Sequence, residues 1–153
     1  MRIRRARKSE APLLTALAVE AKRHWDYSPE DIERWRPLLS IVPDDVTSKP
    51  TFVAEVADKV AGFYLLAPTP EGFELDHLWV SPSFARQGIG RALLTHAVNT
   101  ARLAGVSSIA IDADPNAEAF YVACGAVRRG VVPAPIQGNP ARVRPQLSLE
   151  ITT

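Results

Sequence analysis

Two glycines and two arginines fall within six residues at Arg86-Gln87-Gly88-Ile89-Gly90-Arg91, just as an apolar repeat of helical spacing (Ile89, Leu93, Ala97, Ala104) begins. The first N–H groups of a helix lack internal partners, and the helix dipole adds partial positive charge beside them. Glycine lets a ligand approach the backbone closely, and Arg86 and Arg91 add full charges. Such a turn suits an anion, and several convergent N–H groups suit a diphosphate. By spacing alone, a tight strand-to-helix turn in which the glycines only relieve crowding satisfies the same residues. A Walker A loop is excluded, because Gly-x-x-x-x-Gly-Lys-Ser/Thr is absent. A dinucleotide fingerprint would need a third glycine where Leu93 stands.

Carboxylates precede this turn. Phe73–Val80 alternates, which predicts Glu74, Asp76, Leu78 and Val80 on one strand face and His77 on the other. Carboxylates on one strand face can accept a proton in general-base chemistry, and Glu74 or Asp76 could do so. Solvated positions on a half-exposed strand explain both acids equally well. Beyond the turn, Asn116 opens a short helix carrying Phe120 and Tyr121. Successive helical residues point about 100° apart, so Phe120 is expected in the core and Tyr121 is free to face a site. Asp112 and Asp114 read as caps at the end of the preceding strand. Cys124 is the only cysteine, which excludes an internal disulfide and a cysteine zinc site; no metal is expected. It sits at a helix end beside Gly125 with no evident activating base, a poor place for an acyl nucleophile.

The elements that must position these residues read as β-α-α-β-β-β-α-β-α-β-β, an α/β (α+β) chain with a mixed sheet. Ile3–Ala6 is a short strand and Ser9 a helix cap; Leu13, Leu14, Leu17, Ala18 and Ala21 form the inward stripe that follows. Ser28 caps a second helix with Pro29 at its first position and Trp35 on its core stripe. Pro43 and Pro50 bracket a loop. Thr51–Ala57 and Lys59–Ala67 form a hairpin although the usual Asp-Gly turn is missing, and Phe73–Val80 is the third strand. Val106–Ile111 is continuous enough for a buried central strand. Ala126–Val132 and Arg142–Ile151 make a last hairpin across a proline-rich loop. Residues 1–153 are expected to form one unit without repeats or linkers.

The turn and the later helix resemble two motifs of the GNAT N-acetyltransferase superfamily. Val80-Ser81-Pro82 followed by Gly88-Ile89-Gly90-Arg91 resembles its motif A, Arg/Gln-x-x-Gly-x-Gly/Ala, except that Ala85 replaces the first polar residue. Asn116-Ala117, Phe120-Tyr121 and Gly125 are similar to motif B, with Ala126 replacing the usual Phe. The resemblance implies a mixed sheet splayed around a coenzyme cleft and transfer of an acetyl group from acetyl-CoA to a primary amine by direct attack in a ternary complex. A non-catalytic acyl-CoA-binding module on the same fold is the alternative. Leu78, Trp79, Val80, Arg86, Gln87, Gly88, Ile89, Gly90, Arg91, Asn116 and Tyr121 are the residues it assigns to the coenzyme. It makes Tyr121 the acid at the departing thiolate and Glu74, at the place of the general-base Glu of histone-type members, the leading base, with Asp76 where other members place a catalytic His. His24, Trp25 and Tyr27, between the first two helices, fall where the resemblance puts the border of the acceptor pocket, and a hydrophobic plug accounts for the same aromatics. A homodimer is the expected assembly.

A hydrophobic fraction of 46% and a charged fraction of 23% describe an ordinary globular chain. A net charge of +1 gives no reason to expect nucleic acid or an anionic membrane as partner. The alternating start Arg2-Ile3-Arg4-Arg5 reads as an edge strand and not as a secretory leader, and the cytoplasm is the expected location. The resemblance implies a small-molecule or protein amine as acceptor, and the acids at Glu74 and Asp76 favour a cationic one.

Overall fold

A computed structural model describes residues 1–152; Thr153, the end of the expected unit, lies outside the described residues. Its strands are β1 (Arg2–Arg5), β2 (Thr51–Val56), β3 (Lys59–Thr69), β4 (Gly72–Val80), β5 (Ser108–Asp112), β6 (Val127–Pro133) and β7 (Val143–Glu150). They form one sheet in the order β1-β2-β3-β4-β5-β7-β6. Every neighbouring pair is antiparallel except β4 and β5.

The helices are α1 (Ala11–Arg23), α2 (Pro29–Leu39), α3 (Pro43–Ser48), α4 (Ile89–Leu103) and α5 (Glu118–Ala123). Ser28 caps α2 as expected, its Oγ accepting from the Asp31 N–H at 3.1 Å. Ser9 does not cap α1. A short 3-10 turn, Lys8–Glu10, comes first, and the Glu10 carboxylate accepts from the Arg7 N–H at 2.7 Å. The segment expected to be a loop after Pro43 is α3, because Pro43 fits a first helical turn and Asp44 and Asp45 favour its positive end.

Two apolar layers cover the sheet. On one face Leu93, Leu94, Ala97 and Ala101 of α4 pack on Tyr64, Leu66, Leu75 and Ile109. On the other, Leu14, Leu17 and Ala18 of α1 and Ile32 of α2 pack on Val53 and Phe63. With both faces covered, β3 is buried for most of its length, which is why Ala61–Leu66 reads as a continuous apolar run.

The strand that carries the candidate acids breaks its own alternation. Leu66 pairs with Leu75 but Leu65 pairs with His77, so Asp76 is an extra residue without a partner on β3. Phe73 and Leu75 before this bulge, and Leu78 and Val80 after it, all join the α4-side core. Glu74 therefore shares the opposite face with His77 and Trp79, not with Leu78 and Val80 as strict alternation requires. The parallel seam with β5 is equally short: only Phe73–Ile109 and Glu74–Ala110 are in register. From Leu75 to Val80 the β5-facing side of β4 has no strand partner among the described residues, and the sheet opens.

The β2–β3 hairpin turns at Ala57 and Asp58, both left-handed at φ 51° and 63°. Two-residue hairpins of this twist favour Asn-Gly, and each non-glycine residue in that region costs roughly 1 kcal/mol. The double substitution A57N/D58G is expected to raise the unfolding free energy by about 1 kcal/mol in urea denaturation. Equal or lower stability would show that the turn carries no strain.

Candidate active site

The turn before α4 is shaped by left-handed backbone at Arg86 (φ 64°) and Gly88 (φ 78°). A side chain on Gly88 would meet nothing within 4 Å, so conformation, and not space, requires glycine there. Gly90 is constrained differently: a Cβ would lie 3.3 Å from the Phe120 ring. Phe120 thus seats α5 on the start of α4, joining the two motifs through one close contact. The Ala92 N–H donates to the Gly88 carbonyl at 3.0 Å as α4 begins. The N–H groups of Gly88, Ile89, Gly90 and Arg91 therefore precede the internal ladder and have no intrahelical acceptor.

The opened edge of β4 supplies a second set of backbone groups. The Ser81 N–H donates to Ala61 on the β3 side at 2.8 Å. Antiparallel hydrogen bonding alternates with a period of two, so Trp79 also faces β3 while Leu78 and Val80 point their N–H and C=O groups into the opening. Trp79 reaches the opening through its side chain alone. These edges, the turn and α5 enclose a first cleft of about 460 Å³, lined by Arg86, Gly88, Arg91, Val80, Asn116 and Tyr121 among others. Gln87 points to solvent and does not line it. His24 and Trp25 form part of its far wall.

A second cleft of about 470 Å³ lies beyond, and Trp25, Leu78, Trp79, Ala117 and Tyr121 belong to both. Tyr121 is the junction. It is 7% exposed, and burial, with Cys124 and Asp114 nearby, pushes its phenol well above the ordinary value. It stays protonated across the neutral range and can donate a hydrogen bond. Asp76 lines the second cleft because the bulge turns it outward. Glu74 lines neither cleft; burial and the neighbouring charges of Asp76 and Asp112 push its carboxyl up. His77, buried and stacked on Phe63, accepts from the Trp79 indole N–H through Nδ1 at 3.1 Å. Burial also lowers its pKa, so it is a neutral support for Trp79. Cys124 lines neither of these clefts.

The floor of the second cleft is a buried polar cluster that the local sequence does not announce. Asp114 Oδ2 receives Lys22 Nζ at 2.6 Å and the Tyr27 hydroxyl at 2.8 Å. The Tyr27 oxygen in turn accepts from Arg142 Nη2 at 2.9 Å and Asn116 Nδ2 at 3.2 Å. Asp114 Oδ1 takes the Asn116 backbone N–H at 2.8 Å, so Asp114, not Asn116, caps the turn before α5. Tyr27 is consequently part of the floor and not of the lining, held edge-on against Trp35 at 4.7 Å. Trp35, expected in the core, lines the cleft, with Lys22 Nζ 4.7 Å and Arg142 Cζ 5.2 Å from its ring centroid. Lys22, Trp35 and Arg142 escape sequence reading because their partners lie far along the chain.

Comparison with known proteins agrees with this geometry. The sequence model of the acetyltransferase (GNAT) family matches residues 13–126. The chain belongs to this family. A search of curated proteins gives no significant match. Among solved structures, a GCN5-related N-acetyltransferase from Rhodopseudomonas palustris superposes with a TM-score of 0.77 at 21% identity, covering 97% of this chain and 94% of that one. The PaiA N-acetyltransferase of Thermoplasma acidophilum, solved with coenzyme A, gives 0.74 at 18% identity over 97% and 98%. The ribosomal-protein-S18-alanine N-acetyltransferase of Escherichia coli gives 0.74 at 18% identity over 99% and 94%. At these identities the structures show that the fold is shared; with the family match they make this a GNAT fold, including the opened sheet.

Asp114 generates a stability prediction for this GNAT domain. Burial pushes its carboxyl up, but the charge and hydrogen bond of Lys22, with donors from Asn116 and Tyr27, outweigh burial and hold it below the usual carboxylate range. A carboxyl depressed on folding stabilises the fold above its unfolded pKa of about 4 and loses that contribution as pH falls through its folded value. Asp114→Asn, which strands two buried cations, is expected to cost about 3–5 kcal/mol at pH 7. Urea denaturation as a function of pH should show the gap to wild type closing on acidification below about pH 4. A gap independent of pH would place the stabilisation elsewhere.

Proposed function

We propose that this chain transfers an acetyl group from acetyl-CoA to a primary amine by direct attack in a ternary complex. The observation that carries the reading is the meeting of two clefts at Tyr121, one walled by converging N–H donors and the other by an acid. The residues present fit the coenzyme: N–H groups of Gly88, Ile89, Gly90 and Arg91 for its diphosphate, with Arg86 and Arg91 adding charge. The backbone groups of Leu78 and Val80 suit an amide-bearing arm along the opened edge, with Asn116 on the opposite wall. Bound there, acetyl-CoA supplies an acetyl group activated as a thioester.

In this reading Asp76 removes the ammonium proton, since it lines the cleft where an amine would enter and Glu74 does not. A backbone N–H of the opened β4 edge polarises the acetyl carbonyl. Tyr121 holds a proton at Oη and donates it as a hydrogen bond where the thiolate leaves. Placement of Cys124 outside both clefts supports direct attack over a cysteine-bound acyl group. Much of the acceleration comes from holding two reactants across one narrow junction.

Thiol release from acetyl-CoA across a panel of amines tests the proposal. Tyr121→Phe is expected to lower kcat roughly 10- to 100-fold, and Asp76→Asn by on the order of 100-fold near pH 7. The Asp76→Asn deficit should shrink towards pH 10, where solvent deprotonates the amine unaided. Glu74→Gln should lose less than Asp76→Asn. Thermal stabilisation by acetyl-CoA without thiol release from any amine would instead indicate a binding module.

A further inference from the structure

The second cleft is electrically divided. Its ionisable lining comprises four basic residues, Lys22, Arg34, Arg142 and Arg144, and three carboxylates, Asp76, Asp112 and Asp114, besides His77 and Tyr121. Two of the cations are neutralised locally: Arg144 pairs with Asp112 at 2.9 Å, and Arg34 pairs with Asp31, which is not part of the lining, at 2.5 Å. Asp114 alone serves both Lys22, at 2.6 Å, and Arg142, at 3.5 Å. That leaves one positive charge in excess on the α1–β7 side, where the Arg142 and Asp114 side chains are each 5% exposed and Lys22 13%. Asp76 on the β4 side joins none of these pairs.

A buried excess charge is costly without a counter-ion, because desolvation is not repaid by a partner. The Arg142 guanidinium is also incompletely used. Its Nη1 donates to the Ala134 carbonyl at 3.0 Å and Nη2 donates to Tyr27, while Nε is a buried donor without an acceptor among the described residues. Lys22 and Arg142 both lie against Trp35, which fixes their stems and limits their escape to solvent.

We infer that the acceptor is an amine bearing a carboxylate, in the manner of a free amino acid. The inference rests on the acetyl-transfer reading of the same site. The ammonium end faces Asp76 and Tyr121, where the proton leaves and the acetyl group arrives. The anionic end faces the Lys22–Arg142 side and balances its excess charge. One net positive charge matches a monoanionic carboxylate better than a dianionic phosphate, and a cavity of about 470 Å³ suits a small molecule. A cationic acceptor such as a polyamine, which the acids on β4 alone favour, would set a second positive charge against Lys22 and Arg142.

The test uses the whole chain with acetyl-CoA and matched sets for the common side chains: each amino acid, its neutral amide and its decarboxylated amine. Thiol release is followed for every member. Acids should exceed their amides and amines in kcat/KM by at least tenfold, with most of the difference in KM. Release confined to amides and amines, or equal for all three, overturns the carboxylate inference and leaves acetyl transfer standing. Release from no member of any set, with release from other amines of the panel, also overturns the carboxylate inference alone; release from no amine at all sinks the acetyl-transfer reading itself. In Lys22→Met and Arg142→Met, each of which removes the excess charge, the acid-to-amide ratio should fall at least tenfold; an unchanged ratio in a variant that melts cooperatively overturns the inference. Lys22, the more exposed of the two, carries this comparison should Arg142→Met not fold.

Discussion

Two register pairs, Phe73–Ile109 and Glu74–Ala110, are all that hold β4 alongside β5, and the site exists because that seam is so short. Had the strands paired to their ends, the Leu78 and Val80 backbone groups would be spent on a ladder. The bulge at Asp76 accompanies the break, moving β4 out of phase just where it leaves its neighbour. One irregularity therefore has three consequences. It frees backbone donors and acceptors, turns an acid into a cavity, and sends Glu74 to the face shared with His77 and Trp79.

The opening would be a fault in the sheet if nothing bridged it. Two contacts do so from opposite sides. Phe120 sits on Gly90 and locks α5 to the start of α4, which fixes Tyr121 at the junction of the clefts. Asp114, just beyond the end of β5, ties α1 through Lys22, the α1–α2 connection through Tyr27 and the start of β7 through Arg142. Hydrogen-bonded ionic clusters of this kind specify geometry more than they add net stability. Here the geometry specified is the floor of the cleft proposed for the acceptor, so the chemistry of binding and the cohesion of the split sheet use the same residues.

Most elements and both motif helices were legible because they rest on local signals. Ser28-Pro29 marks the start of α2, Gly88 supplies the left-handed turn before α4, and Gly105 ends it at φ 78°. The 100° step of a helix separates Phe120 from Tyr121 but does not say which lies deeper: Phe120, expected in the core, is half-buried against Gly90 and lines the first cleft, whereas Tyr121 is the buried one. The composition and spacing of residues 86–91 and 116–125 therefore determine a glycine-turned helix start with free N–H groups and a tyrosine-bearing helix with little help from the rest of the chain.

What tertiary structure alone decided is the phase of β4 and the wall of the second cleft. A period-two reading cannot see a bulge, because Asp76 is an ordinary strand residue until pairing with β3 skips it. Lys22 and Arg142 lie 92 and 28 residues from Asp114, and no spacing along the chain expresses that convergence. Charge counted along the strand made the acceptor side look acidic. Charge counted around the cavity is divided, because packing of α1 and β7 brings two cations to one carboxylate.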